Sequence, residues 1–414
     1  MTEARAALRF LSVCSVCIGL STSSPASADF TSTRPRTLHR GPPAGAAVAS
    51  GVDWSRCNCT AQLPEPGTAA VLWQQRLASG LSGNALVDAD GNIFMAGTGR
   101  VTQLGPDGAS EYSVRAEFST ALAAALLSDG SRALLTREGA LWAWSARGGP
   151  RFQLNLEAGR SFTRASLLPL PNGGALASIG SWLFEVDSEG TLQGYARLAE
   201  EAVASYVDAG SIWLVGEGGT LWSWDGRGAP LERGRLSGSV SAAARGAPGH
   251  LIAVVAGREL VEWTPRAGQG AALASLPEPG PWPRIAVSPL PRISVLGRGG
   301  AVVSVETDQP PQSSNPERVG PVPAPPHPGE LLTSAQGDLA WLAPGTPLML
   351  QRAGHTATLE AVTCAQPASL VPAGAQRILA SCKSGQIWLI GQASADSGAR
   401  PDSAPNRAPE TAPR

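Results

Sequence analysis

Short apolar runs alternate with polar, glycine-containing turns along most of the chain. In Leu141 to Trp144 and in Leu221 to Trp224, bulky residues stand at every second position or flank one another, a period typical of strands that bury one face. Apolar spacings of three and four residues, which would predict helices, do not persist, because Gly or Pro interrupts every longer run. The pattern predicts an all-β protein.

One structural unit recurs along this pattern, and its clearest part is a glycine followed by an apolar or aromatic strand. The recurring glycines are Gly99, Gly139, Gly180, Gly219, Gly257, Gly300, Gly345 and Gly385. Their separations are 40, 41, 39, 38, 43, 45 and 40 residues. A fixed period of this length indicates a repeat architecture, in which each unit is one supersecondary element.

Each unit also carries a strand of small residues ahead of two apolar strands, as in Ala121 to Ala125 and Ser241 to Ala244. Small side chains suit the innermost strand of a radial sheet, where neighbouring sheets crowd together. The units therefore predict a β-propeller of eight four-stranded blades, with seven as the alternative if the unit around Gly345 is irregular.

The two ends of the repeat region predict how the ring closes. Val71 to Leu77 reads as a strand before the first full unit, whereas the last unit, Pro367 to Gln392, supplies only three strands. An N-terminal strand in the last blade would complete that sheet and leave the ring without an unfinished blade. The propeller is accordingly expected to span residues 67–392.

Residues outside the ring predict export. Arg5 and Arg9 supply positive charge, Leu8 to Leu20 is a short apolar core, and the small-x-small sequence ending at Ala28 fits cleavage before Asp29. Residues 1–28 are thus predicted to be a signal peptide, and the protein to be periplasmic or extracellular; a lipoprotein modified at Cys14 or Cys17 is the alternative. Residues 29–66 are expected to be a polar linker, and residues 393–414 a disordered tail.

Four cysteines remain after cleavage: Cys57, Cys59, Cys364 and Cys382. An even number in an exported chain predicts disulfides. Ring closure would bring Cys57 and Cys59 near the last blade, which favours a long-range bridge to Cys364 or Cys382. The alternative is local, with Cys364 bonded to Cys382.

The third-strand sequences GALWAW, GTLWSW and GQIWLI, and the strand containing Val71 to Trp73, resemble the PQQ-like β-propeller repeat. This family includes periplasmic BamB-type propellers and quinoprotein dehydrogenases, and the resemblance covers about residues 70–392. It implies the propeller fold only, because one fold hosts many functions. In the quinoprotein enzymes adjacent cysteines contact the quinone; Cys57 and Cys59 are not adjacent and precede the ring, so no cofactor is expected.

Charge and motifs narrow the function. Lys and Arg number 32 against 33 Asp and Glu, with no basic cluster, which argues against nucleic acid as a partner. No stretch after the N-terminus is long and apolar enough to predict a membrane span. No catalytic or metal-binding motif is recognisable. The tryptophans of the third strands are predicted to pack between adjacent blades; these are Trp142, Trp144, Trp222, Trp224, Trp263 and Trp388.

Charged residues near the starts of the innermost strands are the candidate ligand contacts at one mouth of the channel: Arg164, Arg284 and Glu330. Two arginines there could hold an anionic group but would repel a divalent cation. The sequence therefore favours a non-enzymatic binding or scaffold propeller that recognises a protein, peptide or polysaccharide of the envelope or exterior. The alternative is an enzyme with an unrecognised active site at the channel mouth.

Overall fold

The structure is a computed structural model, and the residues it describes belong almost entirely to the repeat region. They are 59–60 and 62–393, apart from 83–84, 119, 157–163, 209, 278–279, 281, 283, 289–291, 298–299, 308–316, 320–328 and 375. The predicted signal peptide, the sites Cys14, Cys17 and Cys57, and nearly all of the predicted tail lie outside the described residues.

The described strands form eight sheets, one for each repeat, and successive strands within a repeat run from the channel outward. Blade 1 contains β3 (Leu86–Val87), β4 (Ile93–Gly97), β5 (Arg100–Leu104) and β6 (Ser110–Arg115). Blade 2 contains β7 (Ala121–Leu126), β8 (Arg132–Thr136), β9 (Ala140–Trp144) and β10 (Pro150–Asn155). Blade 3 contains β11 (Ala165–Pro169), β12 (Ala175–Ile179), β13 (Trp182–Val186) and β14 (Leu192–Arg197). Blade 4 contains β15 (Ala202–Asp208), β16 (Ser211–Gly216), β17 (Thr220–Trp224) and β18 (Leu231–Arg235).

The second half of the ring repeats this arrangement. Blade 5 contains β19 (Val240–Arg245), β20 (Leu251–Val255), β21 (Glu259–Trp263) and β22 (Gly270–Ser275). Blade 6 contains β23 (Arg284–Val287), β24 (Arg292–Leu296), β25 (Val302–Glu306) and β26 (Glu317–Val319). Blade 7 contains β27 (Glu330–Ser334), β28 (Leu339–Leu342), β29 (Pro347–Arg352) and β30 (His355–Thr363), and also β1 (Cys59–Thr60). Blade 8 contains β31 (Pro367–Pro372), β32 (Ile378–Cys382), β33 (Gln386–Gln392) and β2 (Ala69–Arg76).

The prediction of eight four-stranded blades is confirmed, and so is the mode of ring closure. β2 pairs antiparallel with β33, with Ala69 opposite Gln392 and Arg76 opposite Gln386. One sheet therefore contains the first outer strand and the last three strands of the ring, and the innermost strands β3 and β31 are in contact. Main-chain hydrogen bonds between β2 and β33 thus join the two ends of the ring within blade 8, and β2 leads from there into blade 1.

The core lies between the blades. Small residues on the innermost strands, such as Ala123 and Ala125, let neighbouring sheets approach, and the larger side chains further out fill the widening gap. The predicted packing of the third-strand tryptophans is confirmed, since five of the six are at most 5 % exposed and lie in clusters that join two or more blades. Trp142 is half-buried and stacks on Trp144, with 5.8 Å between ring centroids.

Polar contacts also cross between blades. Arg151 of β10 donates to the Ser131 hydroxyl at 2.6 Å, to the Ser188 carbonyl of blade 3 at 2.9 Å, and pairs with Asp129. Burial would raise the pKa of the Asp129 carboxyl, but hydrogen bonds from Ser131 and the contact with Arg151 outweigh it and hold that pKa below its usual value. The Asp129 carboxylate is therefore more stable in the folded than in the unfolded chain.

The disulfide differs from the prediction. Cys364 is bonded to Cys382, with 5.8 Å between their Cα atoms, and both residues are buried. The favoured long-range bridge from Cys57 or Cys59 is therefore wrong for these two cysteines. Cys364 follows β30 directly, and Cys382 ends β32, so the bridge ties the link between blades 7 and 8 to blade 8.

Candidate functional site

At one channel mouth, two of the predicted contacts meet each other. Arg284 starts β23 and Glu330 starts β27, and the guanidinium donates to both carboxylate oxygens, at 2.8 and 3.3 Å. The Glu330 charge raises the pKa of the Arg284 guanidinium above its usual value, against the opposing effect of burial. This bidentate pair joins blades 6 and 7 and occupies the groups that would otherwise hold a ligand.

The third predicted contact lies apart from this pair. Arg164 precedes β11 and forms an ion pair with Glu217 of blade 4 at 3.0 Å, in a half-exposed position. At the opposite ends of the innermost strands, Asp208 pairs with Arg245 at 2.7 Å across blades 4 and 5. Charged groups at both ends of the channel thus join neighbouring blades.

The channel wall itself is built from short hydroxyl and alkyl side chains. The hydroxyl groups of Ser166 and Ser205 lie 3.2 Å apart across blades 3 and 4. Ser369 contacts Ser381 at 2.6 Å and accepts a hydrogen bond from the Ala85 N–H at 3.3 Å. These hydroxyl groups join adjacent strands and blades, so their polar atoms are used in holding the wall together.

In the part of the chain that the structure describes, no group of three or more His, Cys, Asp or Glu side chains is placed to hold a metal ion. Within the same residues there is no helix with the length and apolar character needed to cross a bilayer.

At the outer rim of the ring, an aromatic side chain of one blade packs on a glycine of the next blade at three successive junctions. In blades 8, 1 and 2, an aromatic residue of the outermost strand stands opposite the fourth residue of the third strand. Its ring lies against a glycine in the outer turn of the next blade, meaning the turn between the third and fourth strands. The pairs are Trp73 with Gly108, Tyr112 with Gly148, and Phe152 with Gly190. Each ring thereby closes the gap between two blades at the rim.

This closure is missing where blades 3, 4 and 5 meet, and also at the outer turn of blade 7, where a Cβ on Gly354 would have no atom within 4 Å. Gly194 of β14, opposite Glu185, and Leu231 of β18, opposite Ser223, occupy the equivalent positions. The outer-turn glycines ahead of them, Gly228 and Gly268, have no atom within 4 Å of the place where a Cβ would stand. Leu231 is 59 % exposed, more than any other large apolar side chain among the described residues.

An aromatic cluster occupies the rim of blade 3 instead. The half-buried Trp182 stacks on Phe184, with 6.3 Å between centroids, and lies 6.5 Å from Tyr195. The Arg197 guanidinium sits over the Trp182 ring at 5.2 Å, a cation–π contact. Leu192, at the start of the same outermost strand, is 40 % exposed. We call the following set the open rim: Trp182, Leu192, Tyr195, Arg197 and Leu231.

Comparison with known proteins supports the fold at this point. Solved propellers match the chain over most of its length. BamB from Moraxella catarrhalis matches 78 % of this chain and 99 % of its own, at 15 % identity and a TM-score of 0.58. Virginiamycin B lyase from Staphylococcus aureus matches 78 % and 100 %, at 10 % identity and a TM-score of 0.52. The Pan2 WD40 domain from Neurospora crassa matches 80 % and 98 %, at 8 % identity and a TM-score of 0.50.

These similarities confirm the resemblance to BamB-type propellers at the level of the fold. No protein-family profile matches the chain, and no curated protein matches it by sequence. Because identities of 8–15 % show the architecture alone, and because one of these propellers is a lyase, the function has to be argued from the residues of this chain.

The open rim was not predicted from the sequence, although a signal for it was present. Counting from the repeat glycine of each unit, Tyr112 and Phe152 both follow by 13 residues, whereas Gly194 follows by 14 and Leu231 by 12. Aligning the repeat sequences on these glycines places the equivalent residues of the outermost strands in one column. The change of residue type and spacing in that column would have indicated the open rim.

Proposed function

We propose that the chain is an exported, non-enzymatic binding or scaffold propeller that recognises a protein, peptide or polysaccharide of the cell envelope or exterior. The observation that carries the proposal is the open rim. Three other blade junctions are closed by an aromatic residue on a glycine, so the exposure at blades 3 to 5 is not a requirement of the fold.

The composition of the open rim favours binding. A cluster of aromatic and arginine side chains is typical of interface hot spots, because such residues combine a large contact area with directed polar groups. All the large exposed apolar residues of the described chain lie on outermost strands, whose outer edges have no partner strand in these sheets. Apolar side chains beside an unpaired strand edge favour contact with another molecule.

The channel mouth supports catalysis less well. The charges of Arg284 and Glu330 compensate each other, and Arg164 is paired with Glu217. A catalytic site needs titratable groups that remain available to a substrate. The rim is therefore the better-supported place of recognition.

Two features support an exported location. The N-terminal sequence has the charged, apolar and small-residue segments of a signal peptide. The buried Cys364–Cys382 bridge belongs to a class of bond that persists mainly in oxidising compartments.

Position-specific photo-crosslinking tests the proposal. A photoreactive amino acid replaces Leu231 or Leu192 in the open rim; Leu72 of blade 8, 39 % exposed, is the matched control beside the closed junction at Trp73. We expect discrete adducts in the source organism's envelope fraction from the two open-rim positions and none from the control. Protease or glycosidase treatment of the adduct then distinguishes a protein from a polysaccharide.

A loss-of-binding variant completes the test. Leu231→Glu should abolish the adduct formed from the Leu192 position, because it places a charge in the contact, while Leu72→Glu should leave it unchanged. Thermal unfolding of each variant checks that the ring is intact. Equal adducts from all positions, or none from the open rim, would contradict recognition at this surface.

A further inference from the structure

The chain's own N-terminal segment pairs with a channel-facing strand edge. β1 runs parallel to β27, with Cys59 opposite Thr333 and Thr60 opposite Ser334. β27 is the innermost of the four strands of blade 7, so β1 lies on the channel side of it. In the other seven sheets, the innermost described strand ends the sheet. Blade 7 therefore has an additional strand where the other blades present a bare edge.

The inner strands of blades 7 and 8 are almost fully buried, as is β7 of blade 2, which has no added strand. All five residues of β27 are buried, and β31, the next inner strand, is half-exposed only at its last residue. On the other side, β19 and β23 in blades 5 and 6 keep half-exposed residues along or at both ends of the strand. The channel wall is thus covered at blades 7 and 8 and more open at blades 5 and 6.

The residues that follow β1 anchor it. Leu63 is 2 % exposed and packs in a cluster with Leu332 of blade 7 and Trp388 of blade 8. Pro64 is also buried, and a few residues later the chain enters the outermost strand of blade 8 as β2. The anchor keeps β1 at a high effective concentration beside β27.

The pairing itself is short. Two opposed residue pairs join β1 to β27, and a single backbone hydrogen bond shifts an equilibrium by about two- to tenfold. Such a strand dissociates readily from its edge, so the edge is available to a competing peptide for part of the time.

We propose that the channel edge of β27 is a binding site for an extended peptide that runs parallel to β27, and that residues 59–60 occupy this site in cis. The ligand is recognised through its main chain, as in other cases of strand addition. We expect its side chains to be small, as those of the cis occupant Cys59 and Thr60 are. A partner's peptide has to displace β1, so the N-terminal segment is autoinhibitory. The site lies inside the ring and goes beyond the recognition proposed at the rim.

The test uses the chain expressed from Asp29 and a fluorescein-labelled peptide with the sequence of residues 54–61, in which serine replaces both cysteines. Thr60→Pro weakens β1, because proline is unfavourable within a paired strand; Thr60→Ser keeps an ordinary backbone and is the matched control. We expect the peptide to bind Thr60→Pro about tenfold more tightly than the unchanged chain or Thr60→Ser, since removal of the cis competitor raises the competent fraction.

Two further measurements make the result decisive. A chain that begins at Gln62 keeps Leu63 and β2 but lacks β1, and it should bind the peptide at least as well as Thr60→Pro. Amide hydrogen exchange of residues 330–334 should accelerate in this shortened chain and slow again when the peptide is added. Unchanged exchange, or a peptide affinity that is the same for all variants or undetectable for all of them, overturns the proposal. None of these outcomes bears on crosslinking at the open rim.

Discussion

Adding one methyl group at Gly148 should measure how strongly the closed junctions hold the blades together. Gly148 lies in the outer turn of blade 2 with φ +86°, and a Cβ built on it stands 2.5 Å from the Tyr112 ring of blade 1. Gly228 is the matched control in blade 4, because its φ is +58° and its Cβ would meet no atom within 4 Å. The two substitutions share the backbone strain and differ in the clash.

The magnitudes follow from these two contributions. Alanine in the left-handed region costs about 1–2 kcal/mol relative to glycine, and this cost applies at both sites. Overpacking adds about 1–3 kcal/mol where the neighbour cannot give way. Gly148→Ala should therefore lower the free energy of unfolding by about 2–5 kcal/mol, and Gly228→Ala by about 1–2 kcal/mol.

Urea unfolding followed by tryptophan fluorescence is the assay, and Tyr112 supplies the internal check. In a Tyr112→Ala background the clash is absent, so Gly148→Ala should then cost no more than Gly228→Ala, as a double-mutant cycle measures directly. Tyr112→Phe should be neutral or stabilising, because it removes a buried hydroxyl that has no hydrogen-bond partner within the described residues. The same burial raises the pKa of the Tyr112 hydroxyl. Equal costs at Gly148 and Gly228 in the original background would refute the account of the rim.

Four further results are expected. Trp222→Ala should cost about 3–5 kcal/mol in urea unfolding, because the side chain is 5 % exposed between blades. Arg284→Met alone should lower the free energy of unfolding by about 3 kcal/mol, because it leaves the buried Glu330 carboxylate unpaired. Adding Glu330→Met should restore most of that stability. Cys382→Ser opens a disulfide loop of 18 residues and should cost about 3 kcal/mol in the chain-entropy treatment. Asp129 stabilises the fold above its unfolded pKa of about 4, and this contribution is lost as the pH falls through the lower folded pKa, so Asp129→Asn should flatten the loss of stability in acid titrations.

The blade count and the ring closure could be predicted from the sequence because they depend on features that every repeat carries. The repeat glycine has a positive φ in all eight blades, as at Gly139 (82°) and Gly219 (94°), and such turns strongly favour glycine. Counting the strands in each unit shows that the last unit lacks a fourth strand and that the strand at Val71 belongs to no other unit, so the two can be paired. These signals are local, so periodicity was sufficient to find them.

The parts that were not predicted depend on contacts between distant segments. The pairing of β1 with β27 uses the main chain of a polar stretch, which has no apolar pattern to reveal it. Likewise, ring closure was expected to bring Cys57 and Cys59 near the last blade and favoured a long-range bridge, but the structure places Cys364 beside Cys382. Predicting the contact between Arg284 and Glu330 would require knowing how the first residues of β23 and β27 are aligned along the channel. The sequence separation of 46 residues does not determine that alignment.

Because the blades share one fold, the same position can be compared from blade to blade, and this comparison is the main support for binding at the open rim. Trp73, Tyr112 and Phe152 show that this backbone position can pack a half-buried aromatic ring against the next blade. Leu231 holds the same position at 59 % exposure, although full burial of a side chain of this size is worth about 1.5–3 kcal/mol. At the junction of blades 4 and 5, Gly234 and Leu236 approach blade 5 instead, which leaves the Leu231 side chain exposed, and a bound partner is the means by which that surface would be buried.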